Sequence, residues 1–336
     1  MKAIVVHEFG PPEVLRLETD FAHPEPGPDE VVIAVKAVSV NRTLDLAVRA
    51  GTYPTPIRLP HIPGVDPSGV VTAVGSAVTE RRIGDRVVTL PWRTRPTGPL
   101  DALGVQHLGG YAEYVKVPAK ATALIPASLE FVTATIVARH APQALNLLRD
   151  RAQLKSGEWV LVMGAAGGLG SAGVQIAKYL GARVIGAAGS PERVEAALGL
   201  GADHAIDYLR QDLTAEVLRI TGGRGVDVVF ENIADPTLFP KAFHSIARHG
   251  RLVTAGSHGG GVVPLDVQRL YLYQIAVLGS IGAKEGDTEF ALNAAAEGRF
   301  RVLVDRILPL SKAAEAHHLV ADRALVGKVI LDPTLG

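Results

Sequence analysis

The stretch that decides the fold of this chain runs Trp159-Val-Leu-Val-Met-Gly-Ala-Ala-Gly-Gly-Leu-Gly170. Five apolar residues come first, a glycine-rich turn follows, and a segment with a helical pattern begins where the turn ends. Glycine permits a tight turn and a close approach of the backbone to a ligand, and the free N–H groups at a helix start attract phosphate. The stretch therefore predicts a strand–turn–helix unit that binds the pyrophosphate of a dinucleotide.

The turn supplies the first candidate cofactor-binding residues, which are Gly164, Ala166, Gly167, Gly168, Leu169 and Gly170. The alternative is a purely structural glycine turn. It is disfavoured because apolar strands alternate with helical segments from this turn as far as Ile275–Ser280. Such alternation indicates βαβ units and a parallel sheet that helices cover on both faces.

The chain before about Pro126 has a different pattern. Short runs rich in valine and isoleucine recur between turn residues, at Ala3–Val6, Glu30–Val40, Ser68–Val74, Asp85–Leu90 and Ala112–Val117. Several short strands at this spacing predict an antiparallel barrel or sandwich. The segment Pro91–Gly110, rich in glycine and proline, predicts a surface loop.

Composition excludes several classes of protein. The 336 residues include no cysteine, which excludes disulfides, thiolate metal sites and a cysteine nucleophile. The 34 basic residues balance 34 acidic ones, so we expect neither a nucleic-acid partner nor a membrane partner. No targeting signal and no membrane-spanning stretch is evident, and a cytoplasmic location is the expectation.

The choice of cofactor is made after the second strand of the parallel unit. An NAD enzyme usually has an acidic residue there, whereas this chain has Ala187 and Ala188, followed by Ser190 and Arg193. A hydroxyl and a guanidinium suit the 2′-phosphate of NADPH, so we expect NADPH in preference to NADH. The alternative makes Ser190 a plain helix N-cap and Arg193 a solvated residue, and both roles can coexist.

Further motifs occur in a fixed order along the chain. They are Asn41–Asp45, Arg49–Pro54, Pro63–Gly75, Gly84–Val87, Gly109–Val115, Ala165–Gly170, Gly201–Asp203, Gly225–Val229 and Gly327–Leu331. In this order they resemble the medium-chain dehydrogenase/reductase superfamily, and more narrowly its zinc-free quinone oxidoreductase branch, the relatives of ζ-crystallin. The resemblance covers essentially the whole chain.

The resemblance implies an α/β fold in which a doubly wound parallel Rossmann sheet is inserted into a GroES-like β-barrel catalytic domain. The implied parts are a catalytic domain over 1–125, an NADP-binding domain over 126–281 and a return to the catalytic domain over 282–336. It also implies a homodimer that forms through the edge strand Ile275–Ser280.

Zinc members of the superfamily resemble this chain but have ligands that it lacks. Their first catalytic cysteine falls at Asn41, their histidine at Val65 and their third ligand near Arg139. Their four structural cysteines fall within Pro91–Gly110, which has none. We therefore expect no zinc and no other metal.

The resemblance also implies site residues. Asn41 and Tyr53 are the candidate catalytic residues, Asn41 as an amide donor and Tyr53 as a phenol that orients an oxygen or donates a proton. Asp45 is expected to be a structural partner of a backbone amide. Further implied cofactor contacts are Gln143, Tyr208, Asn232, Gly256, Ser257, Gly279 and Ile281.

The expected function is that of an oxidoreductase that transfers hydride from NADPH to a quinone or an α,β-unsaturated carbonyl, with a small molecule as its substrate. Such an acceptor needs only hydrogen-bond donors at its oxygen, without a metal. Two alternatives stay open: an alcohol dehydrogenase that has lost its metal, and a protein that binds NADPH without turnover.

Overall fold

The computed structural model describes residues 1–92, 101–322 and 325–336. Residues 93–100 of the predicted loop Pro91–Gly110 therefore lie outside the described part. The chain divides into two compact units, one formed by Met1–Arg139 with Thr288–Gly336 and the other by His140–Asp287. None of the described helices is both long enough and apolar enough to cross a membrane.

The strands, in chain order, are β1 Ala3–Val5, β2 Arg16–Glu18, β3 Glu30–Ser39, β4 Ser68–Val74, β5 Arg86–Thr89, β6 Tyr114–Pro118, β7 Thr122–Leu124, β8 Trp159–Met163, β9 Arg183–Ala188, β10 His204–Asp207, β11 Val226–Glu231, β12 Ile246–Thr254, β13 Ala276–Gly279, β14 Val304–Pro309 and β15 Lys328–Asp332.

The α-helices, in chain order, are α1 Asp45–Ala50, α2 Phe131–Leu145, α3 Gly168–Tyr179, α4 Pro191–Gly199, α5 Leu213–Ile220, α6 Leu238–His244, α7 Val267–Tyr273, α8 Asp287–Ala296 and α9 Ala313–Ala321. A π-helical turn, Asn146–Arg151, continues α2, and short 3₁₀ turns lie at Pro12–Val14, Ala119–Ala121 and Leu310–Lys312.

The unit His140–Asp287 is built on a six-stranded sheet in the order β10-β9-β8-β11-β12-β13, and every neighbouring pair is parallel. The strand order reverses between β8 and β11, where a doubly wound sheet opens a crevice at the carboxyl ends of its strands. The central strands β8 and β11 are largely apolar, and their residues Leu161 and Phe230, for example, are fully buried. The α/β prediction is confirmed.

The other unit holds a sheet in the order β14-β15-β3-β4-β5-β7, in which β6 also pairs with β3. All of its pairs are antiparallel except β14 with β15. The small pair β1–β2 completes the strands of this unit. Because β15 pairs with β3 at Ile330 and Ser39, the end of the chain is joined to its first half.

Two local predictions differ from the structure. The pattern over Leu238–Ala247 predicts a helix, but the observed helix ends at His244, since β12 begins at Ile246 and pairs irregularly with β11 before Arg251. The resemblance places Gln143 at the start of the helix that contacts the nicotinamide, and this prediction is wrong, because α2 begins at Phe131 and Gln143 lies in its last turn. Pro142 lies inside this helix, although proline in that position removes a backbone hydrogen bond.

Candidate functional site

The glycine turn after β8 has the geometry that a pyrophosphate requires. Gly164 has a φ of 62°, and the Gly167 N–H donates to the Gly164 carbonyl oxygen at 2.9 Å. A Cβ added at Gly170 would lie 2.0 Å from that same carbonyl oxygen. No side chain caps the start of α3, so its first backbone N–H groups stay available to phosphate oxygens.

Asn232 joins the ends of the two strands that flank the switch point. Its Nδ2 donates to the Met163 carbonyl oxygen at 2.6 Å, and the residue is 6% exposed. The preceding Glu231 is buried and accepts the Ile233 and Ala234 N–H groups, each at 2.8 Å. Burial raises the pKa of Glu231. These contacts fix the carboxyl end of β11 beside the glycine turn.

The end of α2 and the π-helical turn that continues it contact two points of the same sheet edge. An added Cβ at Gly168 would lie 2.4 Å from His140 Nε2, so the His140 ring lies against the start of α3. Asn146 Oδ1 accepts a hydrogen bond from the Ser280 hydroxyl, just after β13. Gln143 is three residues from each of them, and residues three apart share a helix face.

The Gln143 amide indicates whether the carboxyl edge of the parallel sheet fits a cofactor. Its Nε2 is buried and has no hydrogen-bond partner among the described residues. A buried amide donor that protein groups leave unsatisfied is rare, and an oxygen of a bound ligand satisfies it. The predicted residues of this edge therefore fit a dinucleotide.

The end of β9 carries no acidic side chain, because this strand ends at Ala188. The Ser190 hydroxyl accepts the Arg193 N–H at 3.4 Å and caps α4, which confirms its predicted role as an N-cap. Tyr208 lies beside this turn, since a Cβ added at Gly189 would be 2.9 Å from the Tyr208 hydroxyl. The phosphate-binding role of Ser190 and Arg193 stays a prediction.

The remaining predicted cofactor residues follow the last two strands. Gly256 and Ser257 come after β12, and an added Cβ at Gly256 would lie 2.1 Å from the Asn232 carbonyl oxygen. Gly279 is the last residue of β13, and Ile281 is 83% exposed. All of the predicted cofactor residues on strand ends thus belong to the carboxyl edge of the parallel sheet.

The unit formed by Met1–Arg139 with Thr288–Gly336, which we call the barrel unit, holds a second group of polar residues. We call this group the Asn41 cluster: Ser39, Asn41, Asp45, Asp66 and Lys328. All five are buried, with exposures between 0% and 8%. Asn41 Oδ1 accepts from Lys328 Nζ at 2.8 Å, and Asn41 Nδ2 donates to Asp66 Oδ2 at 3.0 Å. The same Nδ2 lies 3.1 Å from Ser39 Oγ and 3.3 Å from the Ser39 carbonyl oxygen. The amide predicted to act as a donor is therefore bonded within the protein.

Asp45 holds two backbone segments together. Its carboxylate accepts the Asn41 N–H at 2.7 Å and the Gly64 N–H at 3.1 Å, as expected for a structural partner of a backbone amide. Burial, followed by the charge of Asp66, raises the pKa of Asp45 to about 7. Burial lowers the pKa of Lys328 to about 8, and the charges of Asp66 and Asp45 oppose this shift.

A line of polar groups continues from Asp45 toward a half-buried arginine. The Tyr111 hydroxyl, whose pKa is raised by burial and then by the Asp45 charge, lies 3.2 Å from His317 Nε2. Arg49 Nη1 lies 3.5 Å from His317 Nδ1. Since a guanidinium only donates, this contact favours the tautomer in which Nε2 carries the proton. Burial lowers the pKa of His317 to about 3.

Tyr53 lies beside an apolar group in the same unit. It packs against the buried residues Val48, Val65 and Val105. Among the described residues, no group of three histidine, cysteine or acidic side chains has an arrangement that holds a metal ion.

The sequence patterns did not single out two residues of these sites. Lys328 lies in the motif Gly327–Leu331 and Asp66 in the motif Pro63–Gly75, and neither was a candidate site residue. A usable signal exists for Lys328, because a charged residue opens the otherwise apolar run Lys328–Leu331. The contacts of Asp66 have no such signal, since they depend on segments that are distant in sequence.

Two family models match this chain. The model described as "Alcohol dehydrogenase GroES-like domain" matches residues 27–127, and the model described as "Zinc-binding dehydrogenase" matches residues 168–297. Together they span both kinds of sheet seen in the structure.

Full-length relatives carry the comparison further. The quinone oxidoreductase of Sus scrofa is 32% identical, over 98% of this chain and 97% of its own length. A solved NAD-dependent alcohol dehydrogenase is 35% identical with a TM-score of 0.90, covering 99% of each chain. A solved quinone oxidoreductase of Escherichia coli, complexed with NADPH, is 29% identical with a TM-score of 0.84, covering 99% of this chain and 100% of that one.

Proposed function

This chain belongs to the medium-chain dehydrogenase/reductase superfamily, in its quinone oxidoreductase branch, and from that premise we propose that it reduces a quinone or an α,β-unsaturated carbonyl with NADPH. It is an oxidoreductase. The observation that carries the proposal is the full-length similarity to quinone oxidoreductases, one of which is solved with NADPH.

The preference for NADPH rests on the end of β9. An acidic residue there would bind the ribose hydroxyls of NADH and would repel a 2′-phosphate, and Ala188 does neither. Arg193 and Ser190 begin α4 beside Tyr208, and Arg210 follows on the same edge. Two guanidinium groups and two hydroxyls in one region suit a phosphate dianion.

Replacement of Arg193 tests this preference. In Arg193→Ala we expect the Kd of NADPH to rise roughly tenfold or more, because a charge-assisted hydrogen bond is lost, while the Kd of NADH changes little. Fluorescence titration of both cofactors measures the two constants. Arg219→Ala, on the exposed surface of α5, is the matched control. Equal losses for NADPH and NADH would overturn the assignment.

The proposed reaction places negative charge on the acceptor oxygen, and this charge determines what the side chains around it must do. A bound nicotinamide supplies the hydride, and the acceptor oxygen then gains negative charge and one proton. Tyr53 carries a phenolic hydroxyl beside an apolar group, and a phenol suits the task of donating to this oxygen. Its packing against Val48 and Val65 limits the motion of the ring.

We propose that the reaction needs no metal. Asn41 and Val65 replace two ligands of the zinc members, and neither an amide nor an isopropyl group is a zinc ligand of the usual kind. The test is NADPH consumption with a panel of quinones and enones, with and without a chelator. We expect turnover that the chelator leaves unchanged.

Two outcomes of that assay would contradict the proposal. Alcohol oxidation that the chelator abolishes would support an alcohol dehydrogenase, the activity named for one solved neighbour. Tight NADPH binding without turnover on any acceptor would support a binding protein instead.

The cytoplasm, as a source of NADPH, is the proposed location.

We also propose that the chain forms a homodimer through β13, the edge strand of the parallel sheet. An edge strand offers unpaired backbone groups to a second copy. Seven large apolar side chains are exposed within 262–281, namely Val262, Leu265, Val267, Tyr271, Leu272, Val277 and Ile281. Light scattering is expected to show a dimer that Val277→Lys converts to a monomer and that Ile83→Lys, in the other unit, leaves intact. A monomeric wild type would contradict this.

A further inference from the structure

We propose that Lys328 is a positioning residue for the reduction: together with Asp66 it holds the Asn41 amide in one orientation and leaves one amide hydrogen for the substrate oxygen. The proposal rests on the proposed function, because it takes the Asn41 amide as a second donor, beside the Tyr53 hydroxyl, to the oxygen of the acceptor. It assigns a role to a buried cation that hydride transfer itself does not use.

The orientation of the Asn41 amide is determined by its two charged neighbours. Lys328 Nζ donates to Oδ1 at 2.8 Å, and an ammonium has no acceptor. Asp66 Oδ2 accepts from Nδ2 at 3.0 Å, and an ionised carboxylate has no donor. A flipped amide would place its NH₂ group against the ammonium and its oxygen against the carboxylate. Both contacts would be repulsive, so only one orientation is stable.

The lengths of the Nδ2 contacts indicate which amide hydrogen is available to donate to a substrate oxygen. Nδ2 has two hydrogens and three acceptors, at 3.0 Å in Asp66, 3.1 Å in the Ser39 hydroxyl and 3.3 Å in the Ser39 carbonyl. The Ser39 hydroxyl itself donates to Asp66 Oδ2, so these two acceptors lie side by side and share one amide hydrogen. The other hydrogen is left to the Ser39 carbonyl in the longest bond, and hydrogen bonds weaken as they lengthen. A substrate oxygen can replace that carbonyl at the smallest loss. The ammonium at Oδ1 also polarises the amide and strengthens its N–H donors.

A purely structural role explains Lys328 less well. A buried ammonium is costly to desolvate, and an apolar residue of similar volume is often as stable or more so. Lys328 is 8% exposed, opens the apolar strand β15 and is anchored by the Val40 carbonyl at 2.9 Å. The charges of Asp66 and Asp45 favour its cation and that of Arg139 opposes it. A cation kept under these conditions indicates a task beyond packing.

Lys328→Met tests the proposal, since methionine keeps the length of the side chain and removes its donors. We expect kcat for quinone reduction to fall roughly tenfold to hundredfold, as for a buried acceptor that loses its partner. The Kd of NADPH should not change, because the nucleotide-binding turn belongs to the other unit. Lys328→Arg should recover part of kcat. The control Lys36→Met removes a cation from β3 that forms no bond with Asn41, and it should retain full kcat.

A double-mutant cycle separates positioning from an independent structural effect. If Lys328 acts through Asn41, Lys328→Met combined with Asn41→Ala will lose no more kcat than the worse single variant. Losses that multiply would overturn the proposal, and so would an unchanged kcat in Lys328→Met. If Lys328→Met does not fold, Asp66→Asn combined with Lys328→Met removes both charges together, and full kcat in that variant would equally overturn it.

A readout without turnover distinguishes this inference from the proposed function. In protein labelled with ¹⁵N-asparagine, the Asn41 side-chain signals, identified by their loss in Asn41→Ala, should exchange with solvent at least tenfold faster in Lys328→Met. Unchanged exchange would overturn the role of Lys328 even in an active enzyme. A wild type that reduces no acceptor would overturn the proposed function, while the exchange rates would still decide whether Lys328 holds Asn41.

Discussion

The glycine turn after β8 and the Asn41 cluster prepare the chain for ligands by opposite means. The turn relies on backbone groups and on the absence of side chains, and all of its residues lie within Gly164–Gly170. The Asn41 cluster relies on charged and polar side chains from β3, from the segment that contains Asp66 and from the start of β15. One site is thus local in sequence, and the other is assembled by the sheet.

The difference determines how each site fails. At Gly170 in the turn, an added Cβ would meet the Gly164 carbonyl oxygen of the backbone, so we expect steric damage that affects mainly the binding of the nucleotide. In the Asn41 cluster, removal of one group leaves charged partners buried without compensation, so the folded protein itself becomes less stable. The following variants test this contrast, beginning with the largest expected effect.

Asp66→Ala should destabilise the barrel unit by about 3–5 kcal/mol, because Lys328 would lose its compensating charge and Ser39 its acceptor. Urea denaturation measures the loss. Asp212→Ala removes an exposed carboxylate that caps α5 and should lower the stability by only about 1 kcal/mol. Similar losses in the two variants would contradict the importance of the buried cluster.

Gly170→Ala should weaken NADPH binding by about 1–3 kcal/mol, up to roughly a hundredfold in Kd. The added Cβ would lie 2.0 Å from the Gly164 carbonyl oxygen, so the turn must open to accept it. Gly199→Ala, in α4 of the same unit, meets nothing within 4 Å and should bind NADPH as the wild type does. An unchanged Kd in Gly170→Ala would show that the turn tolerates a side chain.

His317 should make the barrel unit less stable in acid. Its pKa is about 3 in the folded protein, whereas a histidine in the unfolded chain has its ordinary pKa of 6.5. Below the higher value only the unfolded state takes up the proton, so each falling pH unit favours unfolding by up to about 1.4 kcal/mol. In thermal unfolding, His317→Gln should lose less stability than the wild type when the pH falls from about 6 to about 5. His204→Gln, at an exposed position, should lose as much stability as the wild type. Equal slopes of stability against pH in the wild type and in His317→Gln would contradict a neutral, buried His317.

Much of the fold could be predicted because its signals are local. The strand β8 coincides with the five apolar residues from Trp159 to Met163, and α4 begins just after Ser190, the residue whose type suits an N-cap. The end of α6 and the start of β12 were missed. There a helical pattern over Leu238–Ala247 is overridden by pairing with β11.

The candidate sites divide in the same way. The residues of the glycine turn were predictable because phosphate binding requires glycine at neighbouring positions. Gln143 was implied by resemblance, but its position in the last turn of α2 was not predicted, since that depends on where the helix begins. The bond from Lys328 to Asn41 spans 287 residues of sequence, and no local pattern reports such a distance.

The sequence by itself determined that the chain has a dinucleotide-binding turn, no cysteine and no acidic residue at the end of β9. These features follow from the identity of neighbouring residues, because a tight turn or a missing thiol does not depend on the rest of the fold. Only the tertiary structure decided that Asn41 is bonded to Lys328 and Asp66, with its amide in one orientation. The reason is that buried charges are stable only beside partners, and the pairing of β15 with β3 brings those partners together.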